Sequence, residues 1–232
     1  MKSIFTLLFI IALMQISFSQ DVLFNETVNS DSVIETKGPN LKHYKHTYIG
    51  FGFAAMQSEN KSSNIELGPS SNFIFGFRNK LKISNFYAVG YDVSYNLSWY
   101  RLSQTKDKLT PDAFQNDKER LTFQNLEFSV YNRFNFGKRG NIIGKFIDLG
   151  AYADWTFLCS HFIKNKIEGN VYKTKITHLK YYEPFNYGVL ARFGINRYVI
   201  YANYRLSDLF KSSYNYAELP RLTLGVQIGL HK

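Results

Sequence analysis

The chain has 232 residues, of which 17% are aromatic and only 5 are proline, and it carries a formal net charge of +10. That is one domain of ordinary folding capacity, without low-complexity runs or helical repeats. Beyond the N-terminus no window holds 18 consecutive apolar residues, which excludes transmembrane helices but not a barrel, whose strands are only half apolar. The single cysteine, Cys159, excludes an intramolecular disulfide framework, and no Cys/His spacing fits a zinc site. His43, His46, His178 and His231 are scattered and form no metal spacing either, so no metal or cofactor is expected, and no nucleic-acid partner.

Residues 1–19 begin with Lys2, continue as an apolar run from Ile4 to Met14, and end in Ser17-Phe18-Ser19, a small-x-small pattern. This pattern predicts a secretory signal peptide, removed on export. No cysteine stands directly after the predicted cleavage point, where Gln20 lies, which argues against a lipid anchor. Residues 20–44 are polar, contain Gly38-Pro39 and show no period, so a flexible lead-in is expected there, with the barrel over 45–232.

From Thr47 onward the chain alternates. Ile49, Phe51 and Phe53 are set against Gly50, Gly52 and Ala54; next, Phe73, Phe75 and Phe77 against Ile74, Gly76 and Arg78. The longest run is Phe86 to Arg101, where Tyr87, Val89, Tyr91, Val93, Tyr95, Leu97 and Trp99 alternate with Ala88, Gly90, Asp92, Ser94, Asn96 and Ser98. A period of two kept this long means an extended strand with one apolar face. Further on, Leu126, Phe128, Val130, Phe134 and Phe136 oppose Asn125, Glu127, Ser129, Tyr131 and Arg133. Ile147 to Phe157 on odd positions oppose Gly144, Asp148, Gly150, Tyr152 and Asp154. Tyr187, Val189, Ala191, Phe193 and Ile195 oppose Gly188, Arg192 and Gly194, with Leu190 out of pattern. Tyr198 to Leu206 on even positions oppose Asn203, Arg205 and Ser207, and Leu222 to Leu230 on even positions oppose Thr223, Gly225, Gln227 and Gly229.

Eight amphipathic strands of one parity predict an eight-stranded antiparallel up-and-down transmembrane β-barrel. Size decides which face is inside. The interior of such a barrel is only just wide enough for side chains, so the small and polar face belongs there and the aromatic face meets lipid. Tyr87 to Trp99 is twelve steps of about 3.3 Å, which at a tilt near 40° gives roughly 30 Å of height, enough to place the two aromatics at opposite interfaces. Connection lengths are an independent check. Short turns are expected near 79–85, at 137–141 and at 196–197, and long connections near 57–70, 103–120, 160–182 and 208–220. Short periplasmic turns and long outer loops are the pattern of outer-membrane barrels. Thr110-Pro111-Asp112-Ala113 reads as an N-cap followed by proline, predicting a helical turn in the second long loop. The stretch 163–182 stays strand-like around Glu168-Gly169-Asn170, predicting a hairpin that projects above the membrane.

The order of leader, polar segment and eight amphipathic strands resembles the small outer-membrane β-barrel proteins common in Bacteroidota, the group that includes PorT-like proteins. Its most specific part is Thr223-Leu224-Gly225-Val226-Gln227-Ile228-Gly229-Leu230, which looks like a terminal assembly signal, with Thr223, Gly225, Ile228 and Leu230 at its fixed positions. His231 and Lys232 follow, where many barrels stop at an aromatic residue. The resemblance implies the fold and the outer-membrane location, with barrel-assembly machinery as a partner during insertion. Family members differ in role, and some assist protein secretion.

Eight charges fall on the inward face: Arg78, Arg133, Arg192 and Arg205 against Asp92, Glu127, Asp148 and Asp154. A charge in a narrow lumen must be paired or hydrated, and the equal numbers predict mutual pairing rather than a selectivity ring of one sign. Ser160-His161 beside Cys159 lies near the outer rim, where lipid-modifying enzymes keep their nucleophiles. Sequence adjacency does not make a triad, and rim packing is the expected role. Lys164, Lys166, Lys173, Lys175 and Lys180 fit either binding of anionic lipid headgroups or an acidic partner, or else a solvated loop. Asn25, Asn60 and Asn96 begin N-x-Ser/Thr triplets of no expected consequence. Three functions therefore stand. The leading one is a small barrel with a closed polar lumen, not an enzyme, with a structural or binding role through its outer loops toward lipid or a protein partner. The others are a narrow channel or secretion accessory, and a rim enzyme acting on lipid.

Overall fold

The structure, a computed structural model, describes residues 38–57, 61–137 and 142–230. The leader expected over 1–19, most of the lead-in, and Asn25, Asn60, His231 and Lys232 lie outside them. Among the described residues nine strands form: β1 (His43–Ala54), β2 (Ser71–Lys82), β3 (Tyr87–Arg101), β4 (Lys118–Phe136), β5 (Lys145–Ile167), β6 (Asn170–Thr177), β7 (Phe185–Ile195), β8 (Tyr198–Arg205) and β9 (Leu222–Leu230). Eight of them close a ring of antiparallel neighbours in the order β1-β2-β3-β4-β5-β7-β8-β9, with β9 returning to β1. β6 stands outside the ring and pairs with the far end of β5 from Ser160↔Thr177 to Ile167↔Asn170. Glu168 and Gly169, both at positive φ, make the two-residue turn between them, the backbone that joins twisted strands without splaying them.

Closure leaves no free edge within the ring and satisfies the backbone between its strands, as a membrane span requires. The inward and outward sets follow the alternation. Phe51, Phe75, Phe77, Phe128, Trp155 and Ile200 are exposed on the outside, while Tyr48, Arg78, Asp92, Tyr131, Asp148 and Leu190 are buried inside. A bulge at the register shift between Gln124 and Asn125 reverses the parity of β5, so that Cys159 and His161, rather than even-numbered residues, continue the inner face.

Strand bounds give connections that alternate in length as expected, with residues 58–60 of the first long loop and 138–141 of the second short turn outside the described residues, and with three differences. The first short turn is confined to 83–86, because β2 runs on to Lys82 and Asn79 pairs with Tyr91. Residues 43 and 44 of the expected lead-in belong to β1; Lys80 Nζ donates to the Pro39 carbonyl, and Lys82 Nζ to Asn40 Oδ1 at 2.8 Å. No helical turn forms after Thr110. Its hydroxyl accepts the distant Ala217 N–H at 3.3 Å instead of capping its own segment, and the Asp112 carboxylate accepts the Phe114 N–H at 3.0 Å.

Candidate functional site

Two regions concentrate buried polar chemistry. One lies inside the ring and the other under the long loops.

Inside the ring, cross-strand neighbours share a face, so the sequence sets the first pairs directly. Arg78 on β2 stands beside Asp92 on β3 and donates from Nε at 3.0 Å and from Nη2 at 3.2 Å. Arg133 on β4 stands beside Asp148 on β5 and donates at 2.7 and 2.8 Å. Arg192 on β7 joins the two pairs, with Nη2 at 2.6 Å from Asp92 and Nη1 at 3.9 Å from Asp148. The other half of the expected charge set is placed differently. Arg205 donates to Glu218 of the last long loop at 2.8 Å and not to a strand carboxylate. Glu127 accepts from the Asn96 amide at 3.1 Å, and Asp154 has no arginine within ion-pair distance among the described residues. Parity places these residues on the inner face but cannot say which of them meet across the lumen. That depends on strand stagger.

Aromatic side chains also point inward, and the strand beside each carries a glycine. Tyr131 lies between Gly90 and Gly150, Tyr152 beside Gly188, Phe146 beside Gly194, and Tyr201 beside Gly225. A Cβ on Gly90 would fall 2.3 Å from the Tyr131 hydroxyl oxygen, and one on Gly194 would fall 2.1 Å from the Phe146 ring. These glycines are the space into which the rings fold. The arginines lie over the same rings, Arg78 at 4.4 Å from the Tyr48 centroid and Arg133 at 3.6 Å from that of Phe146. The polar space left toward the long-loop end, between Asp154, Asn125, Asn186 and Asn203, is a cavity of about 40 Å³. That is room for ordered water.

The second region was not legible in the sequence as a unit. The long loops pack on one another over an apolar cluster that includes Ile65, Leu102, Phe123, Leu209, Phe210 and Leu219. Their backbones interlock. Leu109 and Thr110 donate to the Ser62 carbonyl, Ser63 Oγ donates to the Glu218 carbonyl at 2.6 Å, and the Glu218 carboxylate accepts the N–H groups of Leu209 and Phe210. Tyr181 packs against Phe210 and Tyr216, and burial there raises the pKa of its hydroxyl. At the edge of this cap the buried Glu119 carboxylate meets Lys108 Nζ at 2.5 Å and His161 Nε2 at 2.7 Å. Nothing in the sequence distinguishes Glu119, which sits among exposed charges at the end of a strand.

The fold does not bring Ser160 and His161 together. Adjacent strand residues point to opposite faces, so Ser160 lies on the outer row with Thr122 and Thr177 while His161 turns in to Glu119. Cys159 belongs to the apolar cluster. No group of three or more His, Cys, Asp or Glu suited to a metal occurs among the described residues.

The family model described as outer membrane protein beta-barrel domain matches residues 40–230. The chain belongs to this outer-membrane β-barrel family. No curated protein matches it. The protein is thus an outer-membrane barrel, and its exposed aromatic belt is the lipid-facing surface.

The terminal segment of this outer-membrane barrel is also a structural element. β9 pairs with β1 on one side and β8 on the other, closing the ring. Gly225 faces the Tyr201 ring, and Gln227 Oε1 accepts from Arg78 at 2.9 Å. Ile228 and Leu230 face lipid. Gly225 therefore has a packing role independent of any part in recognition.

Proposed function

We propose that this outer-membrane barrel does not conduct solutes, is not an enzyme, and works through the surface built by its long loops, which face the cell exterior. The observation that carries this is the ion network, in which Arg78, Asp92, Arg192, Asp148 and Arg133 run from β2 to β7 through the middle of the ring. Inward rings flank the network, and the packed cap lies beyond it. What remains is a structural or binding surface toward lipid or a protein partner. In the same proposal residues 1–19 direct export, and the barrel-assembly machinery reads Thr223, Gly225, Ile228 and Leu230. The resemblance of that segment to a terminal assembly signal supports this part.

Protease added to intact cells tests the orientation. The β5–β6 hairpin, every residue of whose β6 is exposed, is expected to be cut first, near Lys166 or Lys173. Cleavage at the Gly137 turn with the hairpin protected would reverse the orientation.

A further inference from the structure

We infer that the outward face of the β4–β5–β6 sheet binds phosphate-bearing lipid headgroups in the leaflet on the long-loop side.

Residues paired across antiparallel strands share a face. Lys118, Lys164 and Lys173 make one row across the three strands, and Arg120, Phe162 and Lys175 make the row beneath it. Lys166, opposite Val171, lies one row further out. Six cations thus stand on one face around a single aromatic ring, with the Arg120 guanidinium 5.6 Å from the Phe162 centroid. Chain order does not show this, because Lys118 and Arg120 are more than forty residues from the lysines they join.

The face is continuous with the lipid-facing wall. One row below Arg120 and Phe162 lie Thr122, Ser160 and Thr177, level with the outward Trp99 of β3. Tryptophan at that position marks the edge of the hydrocarbon. Outward positions two residues apart on a tilted strand differ by about 5 Å in height, so the basic rows begin where the polar headgroups begin.

The charge is also unspent. None of the six cations has a carboxylate within ion-pair distance among the described residues, whereas Arg101, next in the same row on β3, is paired with Glu66 at 2.9 Å. The two nearby acids do not cancel the set. Asp117 accepts the Lys166 backbone N–H at 2.6 Å, and Glu168 is in the hairpin turn. Unpaired lysines on a strand at the membrane surface match an array of phosphates, and the half-buried aromatic between them suits the boundary with acyl chains.

The proposal names the lipid chemistry for the binding role in the proposed function and rests on that part of it, but does not depend on whether the lumen conducts. Full-length protein in a zwitterionic detergent is mixed with a bisphosphorylated glycolipid or its dephosphorylated form, and retention is read by native mass spectrometry. The wild type is expected to retain the phosphorylated lipid selectively. Lys164→Gln/Lys173→Gln/Lys175→Gln should retain it at least about tenfold less at the same lipid concentration. Lys61→Gln/Lys106→Gln/Lys211→Gln, which removes equal charge elsewhere, should retain it as the wild type does. Heat-shifted gel mobility confirms that each variant is folded. Equal retention by the first variant, equal loss in the second, equal retention of the dephosphorylated lipid, or capture of oligo-glutamate in preference to the lipid would each overturn the inference.

Discussion

Arg192 of β7 and Asp92 of β3 meet at 2.6 Å although β4 and β5 stand between their strands in the ring. Asp92 is also the partner of Arg78, so one carboxylate holds two guanidinium groups where little water can replace it. Removing one member of a buried ion network costs about 3–5 kcal/mol, because the remaining charges stay buried without compensation. Asp92→Asn should therefore lower the stability of the purified barrel by about that much, read as a shift of the denaturant midpoint. Asp154→Asn is the contrast. Among the described residues its carboxylate has no arginine within ion-pair distance and one oxygen without a hydrogen bond, so the substitution should change stability by under about 1 kcal/mol or raise it. A loss at Asp154 as large as that at Asp92 would contradict the assignment of the network.

The terminal strand combines a role in folding with a proposed role in recognition, and two substitutions separate them. A Cβ on Gly225 would fall 2.4 Å from the Phe51 carbonyl oxygen and 2.6 Å from the Tyr201 ring. Gly225→Val should prevent folding both in cells and from denaturant. Leu230 is exposed to lipid, so Leu230→Ala leaves the inner packing untouched. It should refold normally in detergent yet reach the outer membrane in reduced amount. Equal behaviour of Leu230→Ala in both settings would remove the recognition role.

Glu218 ties the last loop to itself and to β8 by accepting from Leu209, Phe210 and Arg205. Hydrogen bonds to a charged group contribute about 1.5–3 kcal/mol. Glu218→Gln should loosen the cap without unfolding the membrane part. Cys159, the single thiol, reports this because it lies under the cap and is 1% exposed. Maleimide should label it slowly in the wild type and at least tenfold faster in Glu218→Gln, as a lost 1.5 kcal/mol implies for an opening equilibrium.

The ring was legible because one physical constraint, a lipid exterior around a narrow interior, acts on every second residue. It shows in Tyr87 to Trp99 as plainly as in Leu222 to Leu230. Even Leu190, which breaks the polar pattern of its strand, only fills the space between Tyr131 and Tyr152. Contacts that depend on stagger or on loop packing were not legible. The sequence places Arg205 among the inner charges but not against Glu218, and Ile65, Leu209 and Leu219 look like isolated apolar residues in polar loops until they meet over Phe123. The bulge before Cys159 leaves no period of its own, so the turn of His161 toward Glu119 was hidden. For the same reason the lysines of the hairpin were visible as a cluster but not as one face.

Conductance tests the closed lumen most directly. Purified full-length protein in a planar bilayer should give no resolved single-channel steps in molar salt, where added ions screen surface charge without displacing buried pairs. Steady, resolved steps that persist at that salt concentration would mean an open path past Arg192 and Asp92, and would contradict the closed lumen.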